Sequence, residues 1–123
     1  MSKNVTDLAN QFDRAVLLQR VEGDQELFAE MIRAFIEDAP RLVQSMREAL
    51  RHGDLLRLER AAHSMKGAAA NLSANALVAA SSNLEKSAVA GDLESCAASV
   101  SSVEEAANRL LSLLNELCQG VPR

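Results

Sequence analysis

Apolar residues in this chain return every three or four positions over long stretches, and the returns stop at three Gly-Asp pairs: Gly23-Asp24, Gly53-Asp54 and Gly91-Asp92. A strand buries every second residue, so this spacing predicts amphipathic helices. Each Gly-Asp pair punctuates them in one way. The glycine suits the left-handed position after a helix, and the aspartate accepts from the free N–H groups of the next. Aromatics are 2% of the chain, with no Trp or Tyr, and only two prolines interrupt it. Sheets draw on aromatic and β-branched side chains, so composition agrees with the spacing.

Taken in order, a polar start leads to a short first helix, capped by Thr6 or Asp7 and carrying Leu8, Phe12, Ala15, Val16 and Leu18. A second helix begins at Asp24 with Leu27, Phe28, Met31, Ile32, Phe35 and Ile36 on one face. Pro40 should kink or briefly break it near Asp38 and Ala39, because proline forfeits a backbone hydrogen bond and crowds the preceding turn. The pattern resumes on the same side with Leu42, Val43, Met46, Ala49 and Leu50. A third helix runs from Leu55 to about Leu72. After Ser73-Ala74-Asn75, with Ser73 or Asn75 as cap, a fourth carries Leu77, Ala80, Ser81, Leu84 and Ala88 inward. A fifth repeats Leu93, Cys96 or Ala97, Val100, Val103, Ala107, Leu110, Leu114 and Leu117, and stops at Gly120 and Pro122. Connections this short make neighbouring helices antiparallel. The expected fold is all-α: an antiparallel up-down four-helix bundle with a short additional N-terminal helix, one domain over residues 1–123 with an ordered core of about 7–119.

The bulk properties exclude several functions. A net charge of −4 lacks the basic footprint of a nucleic-acid binder. No apolar run approaches the roughly 18–20 residues of a membrane span, and the start shows no charged-then-apolar leader, so a cytoplasmic location is expected. Cys96 and Cys118 fall on one helix about 33 Å apart if it is continuous, which rules out a bond between them and makes them small core residues. With no second apolar stripe, a monomer is expected.

Chemistry concentrates in the third helix. Leu58, Ala62, Met65, Ala69 and Leu72 form its buried seam, while His63, Lys66 and Gly67, at i, i+3 and i+4, share another face with Glu59, Arg60 and Ala70. Gly67 is the odd choice in a run of alanines, since it costs about 1 kcal/mol relative to Ala in a helix interior. A glycine one turn after an exposed imidazole suggests that another molecule comes close there. The imidazole is a nucleophile, and the ammonium could meet phosphoryl oxygens. Together they suit phosphoryl transfer to and from His63. There is no GxxxxGK[ST] loop or kinase-like Gly-rich segment to bind ATP, so the donor must be another protein or domain. The plainer reading of a lone helical His is a solvated surface residue, with Lys66 an ordinary surface charge and Gly67 a tolerated defect. His52, at a helix end, reads as that plainer kind.

The segment Ala62-His63-Ser64-Met65-Lys66-Gly67-Ala68-Ala69-Ala70-Asn71-Leu72 resembles the signature of the histidine-containing phosphotransfer (HPt) family of bacterial phosphorelays. The resemblance extends to Phe35-Ile36-Glu37-Asp38-Ala39-Pro40, the breaks at Gly53-Asp54 and Gly91-Asp92, and Leu84-Glu85. It implies a four-helix bundle with His63 as phospho-acceptor, Lys66 as the phosphate-facing cation and Gly67 as clearance for the partner, Glu59, Arg60 and Ala70 completing the docking face. The implied partners are response-regulator receiver domains. The resemblance implies no cofactor on this chain, the Mg2+ belonging to the receiver. Many relatives carry Gly after the Asn-Leu pair where this chain has Ser73, a departure that bears on the turn.

Other readings remain at this point. The chain could be free-standing or the C-terminal domain of a hybrid sensor histidine kinase. It could also be the phospho-accepting domain of a chemotaxis-type kinase, which uses a similar His-Ser-x-Lys-Gly signature. A sensor-kinase dimerisation domain fits less well, lacking the acidic residue after His63 and a later Pro. A plain helical adaptor leaves Gly67 unexplained. A metal site built on Glu59 and His63 lacks the repeated Glu-x-x-His elements of bundle di-iron proteins.

Overall fold

The computed structural model describes residue 19 and residues 23–120, with side chains as far as residue 116. Four helices follow one another: α1 (Gln25–His52), α2 (Leu55–Asn71), α3 (Asn75–Ala90) and α4 (Leu93–Gly120). Each packs on its neighbours in sequence, and α4 returns to α1, which closes a ring around one core. Two- or three-residue connections leave each helix no option but to run back along the last. The bundle expected from the sequence is therefore the bundle observed. The expected N-terminal helix lies outside the described residues.

The helix starts are built as the aspartates suggest. Asp24 accepts from Leu27 N–H and Asp54 from Arg57 N–H, each at 3.1 Å. Asp92 does the same for Ser95 N–H at 3.1 Å. Three helix ends close by one device, a bond running from the residue after the left-handed position back to the carbonyl five residues earlier. These are Asp54 to Ala49, Ala74 to Ala69 and Asp92 to Ser87, at 2.8, 2.9 and 3.2 Å. Gly53 and Gly91 hold the left-handed position in two of them, with φ of 66° and 76°. Ser73 holds it in the third with φ of 53°, so the departure from Gly noted in the sequence falls on a residue made to adopt glycine's conformation.

Some expectations need correction. α1 is unbroken across Pro40. The ring lies on the exposed side, while Phe35 and Ala39 before it and Met46 after it are buried, so packing on both sides outweighs the lost hydrogen bond. Neither Ser73 nor Asn75 caps α3; Ala74 occupies that position, and no side chain caps the helix. Leu27 and Leu93 are exposed, being first-turn residues at the ends of the bundle. Cys96 takes the seam position and Ala97 faces out.

Met46, Leu58, Met65, Leu72, Leu77, Leu84, Leu110 and Leu114 are fully buried, each leucine contributing about 1.5–3 kcal/mol by leaving water. Ala61, Ala62 and Ala69 on α2, Ala74 in the connection and Ala88 on α3 are buried as well, so small residues make up much of this hairpin's share of the core. Because α4 runs continuously from Leu93 to Gly120, the backbone positions of Cys96 and Cys118 are about 33 Å apart. Burial pushes the Cys96 thiol up from its ordinary range.

Two hydroxyls sit in this core without a hydrogen-bond partner, those of Ser73 and Ser81. An orphaned buried hydroxyl costs about 1–3 kcal/mol. Ser81→Ala should therefore raise stability by about 1 kcal/mol, and Ser73→Gly should do likewise by relieving the left-handed strain. Urea unfolding of each variant checks this, the expected outcome being a higher midpoint with an unchanged slope.

Candidate functional site

The site is assembled by the α2–α3 hairpin. On α2, Ala62 and Met65 turn into the core, which sends the intervening His63 outward with its side chain 73% exposed. One turn on, Lys66 stands at the edge of the helix pair, half-buried, and Gly67 is exposed. On α3, Leu84 is buried in the same core and the next residue, Glu85, emerges beside α2, half-buried.

Glu85 joins the group. Its Oε2 lies 3.0 Å from His63 Nδ1, and its Oε1 accepts from Lys66 Nζ at 2.7 Å. One carboxylate thus holds two neighbours on the facing helix with its two oxygens. Lys66 first, and then His63, hold the Glu85 carboxyl below the usual carboxylate range, burial opposing them in part.

Of the residues singled out in the sequence, His63, Gly67, Arg60 and Ala70 are exposed, while Glu59 and Lys66 are half-buried at the border of the face. A Cβ built on Gly67 would meet nothing within 4 Å. Its backbone is also ordinary helix, so no packing or conformational demand within the described residues requires glycine there. His52 is exposed, with Nδ1 3.1 Å from the Glu48 carbonyl one turn back.

Sequence reasoning assigned Glu85 no role, although Leu84-Glu85 belonged to the matched pattern. The hairpin register carried the signal. A three-residue connection centred near residue 73 sets residue 63 level with about residue 83, so an acidic side chain bordering the α3 seam there falls within reach of His63.

An open groove of about 390 Å³ lies between α1 and α4, lined in part by Pro40, Val43, Arg47, Arg51, Glu104 and Leu111, and holds none of the site residues. Arg47 bridges it by donating to both oxygens of Glu104. Glu59 and His63 find no third partner for a metal, because among the described residues no three His, Cys, Asp or Glu side chains cluster.

A ring of four antiparallel helices displaying a histidine, a lysine and a glycine on one helix face defines a class, the helical phosphotransfer modules of phosphorelays. The chain belongs to the Hpt domain family, whose model matches residues 30–120. Among solved structures it is similar to the crystal structure of histidine-containing phosphotransfer protein B from Pseudomonas aeruginosa. The two are 27% identical with a TM-score of 0.86, over 94% of this chain and 100% of that one. The search of curated proteins returned no match. The chain is a histidine phosphotransfer module of two-component phosphorelays. No helix among the described residues is long and apolar enough to cross a membrane.

The Glu85 contacts fix the sign of an acid effect. A carboxyl with a lowered folded-state pKa adds stability above its unfolded value near 4.3, and that stability disappears as pH falls through the folded value. Relative to Glu85→Gln, the wild type should be more stable near pH 6, with the difference shrinking as the pH falls below the unfolded value. Paired urea titrations across that range measure it.

Proposed function

We infer that His63 is the phospho-acceptor and that the chain carries the phosphoryl group between receiver-domain aspartates. The observation that carries this reading is the open space at Gly67. Among the described residues nothing asks for glycine, and alanine would strengthen the helix by about 1 kcal/mol, which favours a requirement set by another molecule. A partner backbone or side chain arriving over His63 supplies it.

The site also lacks what a self-sufficient phosphotransferase needs. The imidazole stands on a convex helix face with one ammonium near it, and a transition state that spreads charge over three oxygens needs more than one cation. The receiver, with its aspartyl phosphate and its Mg2+, brings the remainder. In the transfer, a His63 nitrogen lone pair attacks phosphorus, the new P–N bond forms as the P–O bond to the aspartate breaks, and the carboxylate leaves with that electron pair. Lys66 lies near enough to the ring to meet the incoming oxygens, and Arg60, Glu59 and Ala70 border the docking surface. The chain acts as a carrier without an ATP site of its own. In this reading it works in the cytoplasm as a monomer, either free-standing or joined to a hybrid kinase.

His63→Gln should take no label from a phosphorylated receiver, and a variant that labels like wild type would defeat the assignment. Lys66→Ala should remain folded and slow transfer about tenfold, followed as loss of phosphoreceiver by gel. The Gly67 reading separates docking from chemistry. Gly67→Ala should be at least as stable as wild type, and Gly67→Gln should cut transfer from the receiver while leaving labelling by phosphoramidate unchanged. Equal transfer rates for Gly67→Gln and wild type would show that no partner needs the gap.

A further inference from the structure

We propose that Leu56 and Val89 form an apolar anchor on the docking face, against which a receiver domain seats an apolar cluster of its own while its phosphoaspartate reaches His63. This rests on the reading of His63 as acceptor.

Among the described residues four large apolar side chains are exposed: Leu27, Leu56, Val89 and Leu93. Single exposed leucines are ordinary on a protein surface, so their placement has to carry the meaning. Leu27 stands in the first turn of α1, at one end of the bundle. The other three gather at the opposite end, around the turns at Gly53 and Gly91. Leu93 is in use there, because its Cδ1 is 4.0 Å from where a Cβ on Gly53 would stand, and it covers that turn. Leu55 does the same for Gly91. Leu56 and Val89 belong neither to the core nor to the side chains packed against it, and they are 55% and 69% exposed.

Register puts both on the face of His63. Leu56 precedes His63 by seven residues, two turns, so the two point to the same side. Val89 follows Glu85 by four residues, one turn, and Glu85 touches His63. In an antiparallel hairpin, stepping back along α2 and forward along α3 leads the same way, here towards the Gly53 and Gly91 turns. Along the bundle Val89 is thus about 6 Å, and Leu56 about 10 Å, from the level of His63. Exposed Gly67 and Ala70 lie on the other side of the imidazole. The face is therefore graded, with apolar bulk on one side of His63 and clearance on the other, and Glu59 and Arg60 supply a polar border.

The choice of Val89 points outward as well. Ala88 and Ala90 flank it, and a β-branched residue weakens a helix relative to alanine. With most of its surface in water, burial within the chain offsets little of that loss. A partner that covers Val89 and Leu56 would offset it. The chain enters α1 and leaves α4 at the far end of the bundle, about 42 Å away along 28-residue helices. That distance favours another molecule as the occupant, and continuity with the His63 face selects the phosphoryl donor. The receiver is oriented by this contact, its apolar cluster lying about 6–10 Å from its aspartate on the side away from Gly67.

The test separates docking from chemistry. Leu56→Ala and Val89→Ala leave charge unaltered and suit a helix, so the double variant should unfold in urea near the wild-type midpoint. The probe is the receiver that labels the wild type fastest in a panel of receivers. For the double variant, its Kd by calorimetry and its concentration for half-maximal transfer should each rise about tenfold. Labelling by phosphoramidate, too small to span the distance to the patch, should keep the wild-type rate. Leu27→Ala, a like truncation at the far end, should alter none of these. Methyl signals of Leu56 and Val89 should shift when receiver is added, in His63→Gln as in the wild type, so docking is judged without transfer. Wild-type affinity in the double variant, or methyl signals that stay in place, overturns the proposal. An equal loss of phosphoramidate labelling would put the effect at the imidazole and overturns it too. So does a wild type that sediments as a dimer and becomes a monomer on double substitution, since the patch would then hold a second copy. If His63→Gln takes label while the double variant docks poorly, the acceptor reading falls and the anchor stands. A panel in which no receiver binds the wild type overturns both.

Discussion

The close antiparallel pairing of α2 with α3 is the constraint on which the site depends. Buried alanines on both helices leave room for close packing, and Met65 of α2 and Leu77 and Leu84 of α3 are buried in the same core. With a three-residue connection the hairpin has little freedom to slide, so its register is set by which side chains are buried. That register brings Glu85 to His63 and Lys66. The contact is polar and partly exposed and adds little to stability by itself. Apolar packing fixes the geometry, and the carboxylate uses it.

The strength of the pairing also explains what the hairpin tolerates. Ser73 sits in a left-handed conformation with its hydroxyl buried and unpartnered, and Ser81 leaves another hydroxyl in the seam. Each is a local cost that a short connection and a well-filled leucine core outweigh. Neither side chain touches the His63–Glu85–Lys66 group by any hydrogen bond, so both costs fall on folding. The ends of α1 and α3 show the unstrained alternative, with Gly53 and Gly91 in the same closure.

Much of this was legible in the sequence because one-dimensional rules govern it. The Gly-Asp pairs gave helix ends, since left-handed backbone and N-capping are local effects, and the 4-3 spacing gave the buried faces. The helix continues through Pro40 without the brief break, because the cost of a proline is local while the packing on either side of it comes from α2 and α4. Leu27 and Leu93 were misplaced because periodicity does not say where the bundle ends. At the site, His63, Lys66 and Gly67 were visible as neighbours one turn apart on a single helix. Glu85 was not given a role because it reaches them across a hairpin, and a contact between helices needs the register as well as the period. Half-burial of Lys66 and Glu59 escaped for the same reason, as a helical wheel shows the direction of a face but not how far the neighbouring helix covers it.

A carrier faces a requirement that an enzyme with a pocket does not. It must accept a phosphoryl group from one protein and surrender it to another, so neither the free nor the loaded form can be stabilised far beyond its partners. A convex helix face meets this requirement. It offers the imidazole to any protein of suitable shape and leaves most of the transition-state charge to be stabilised by the visitor. What remains for the bundle is to hold one ring in one orientation, near one cation, with room beside it. Rigid neighbouring helices do this better than loops, since their side chains emerge at positions fixed by the core on either side. The glycine is consistent with that division of labour. It gives up helix stability at a place where none of the described residues needs it, which leaves a visiting molecule as the one to benefit.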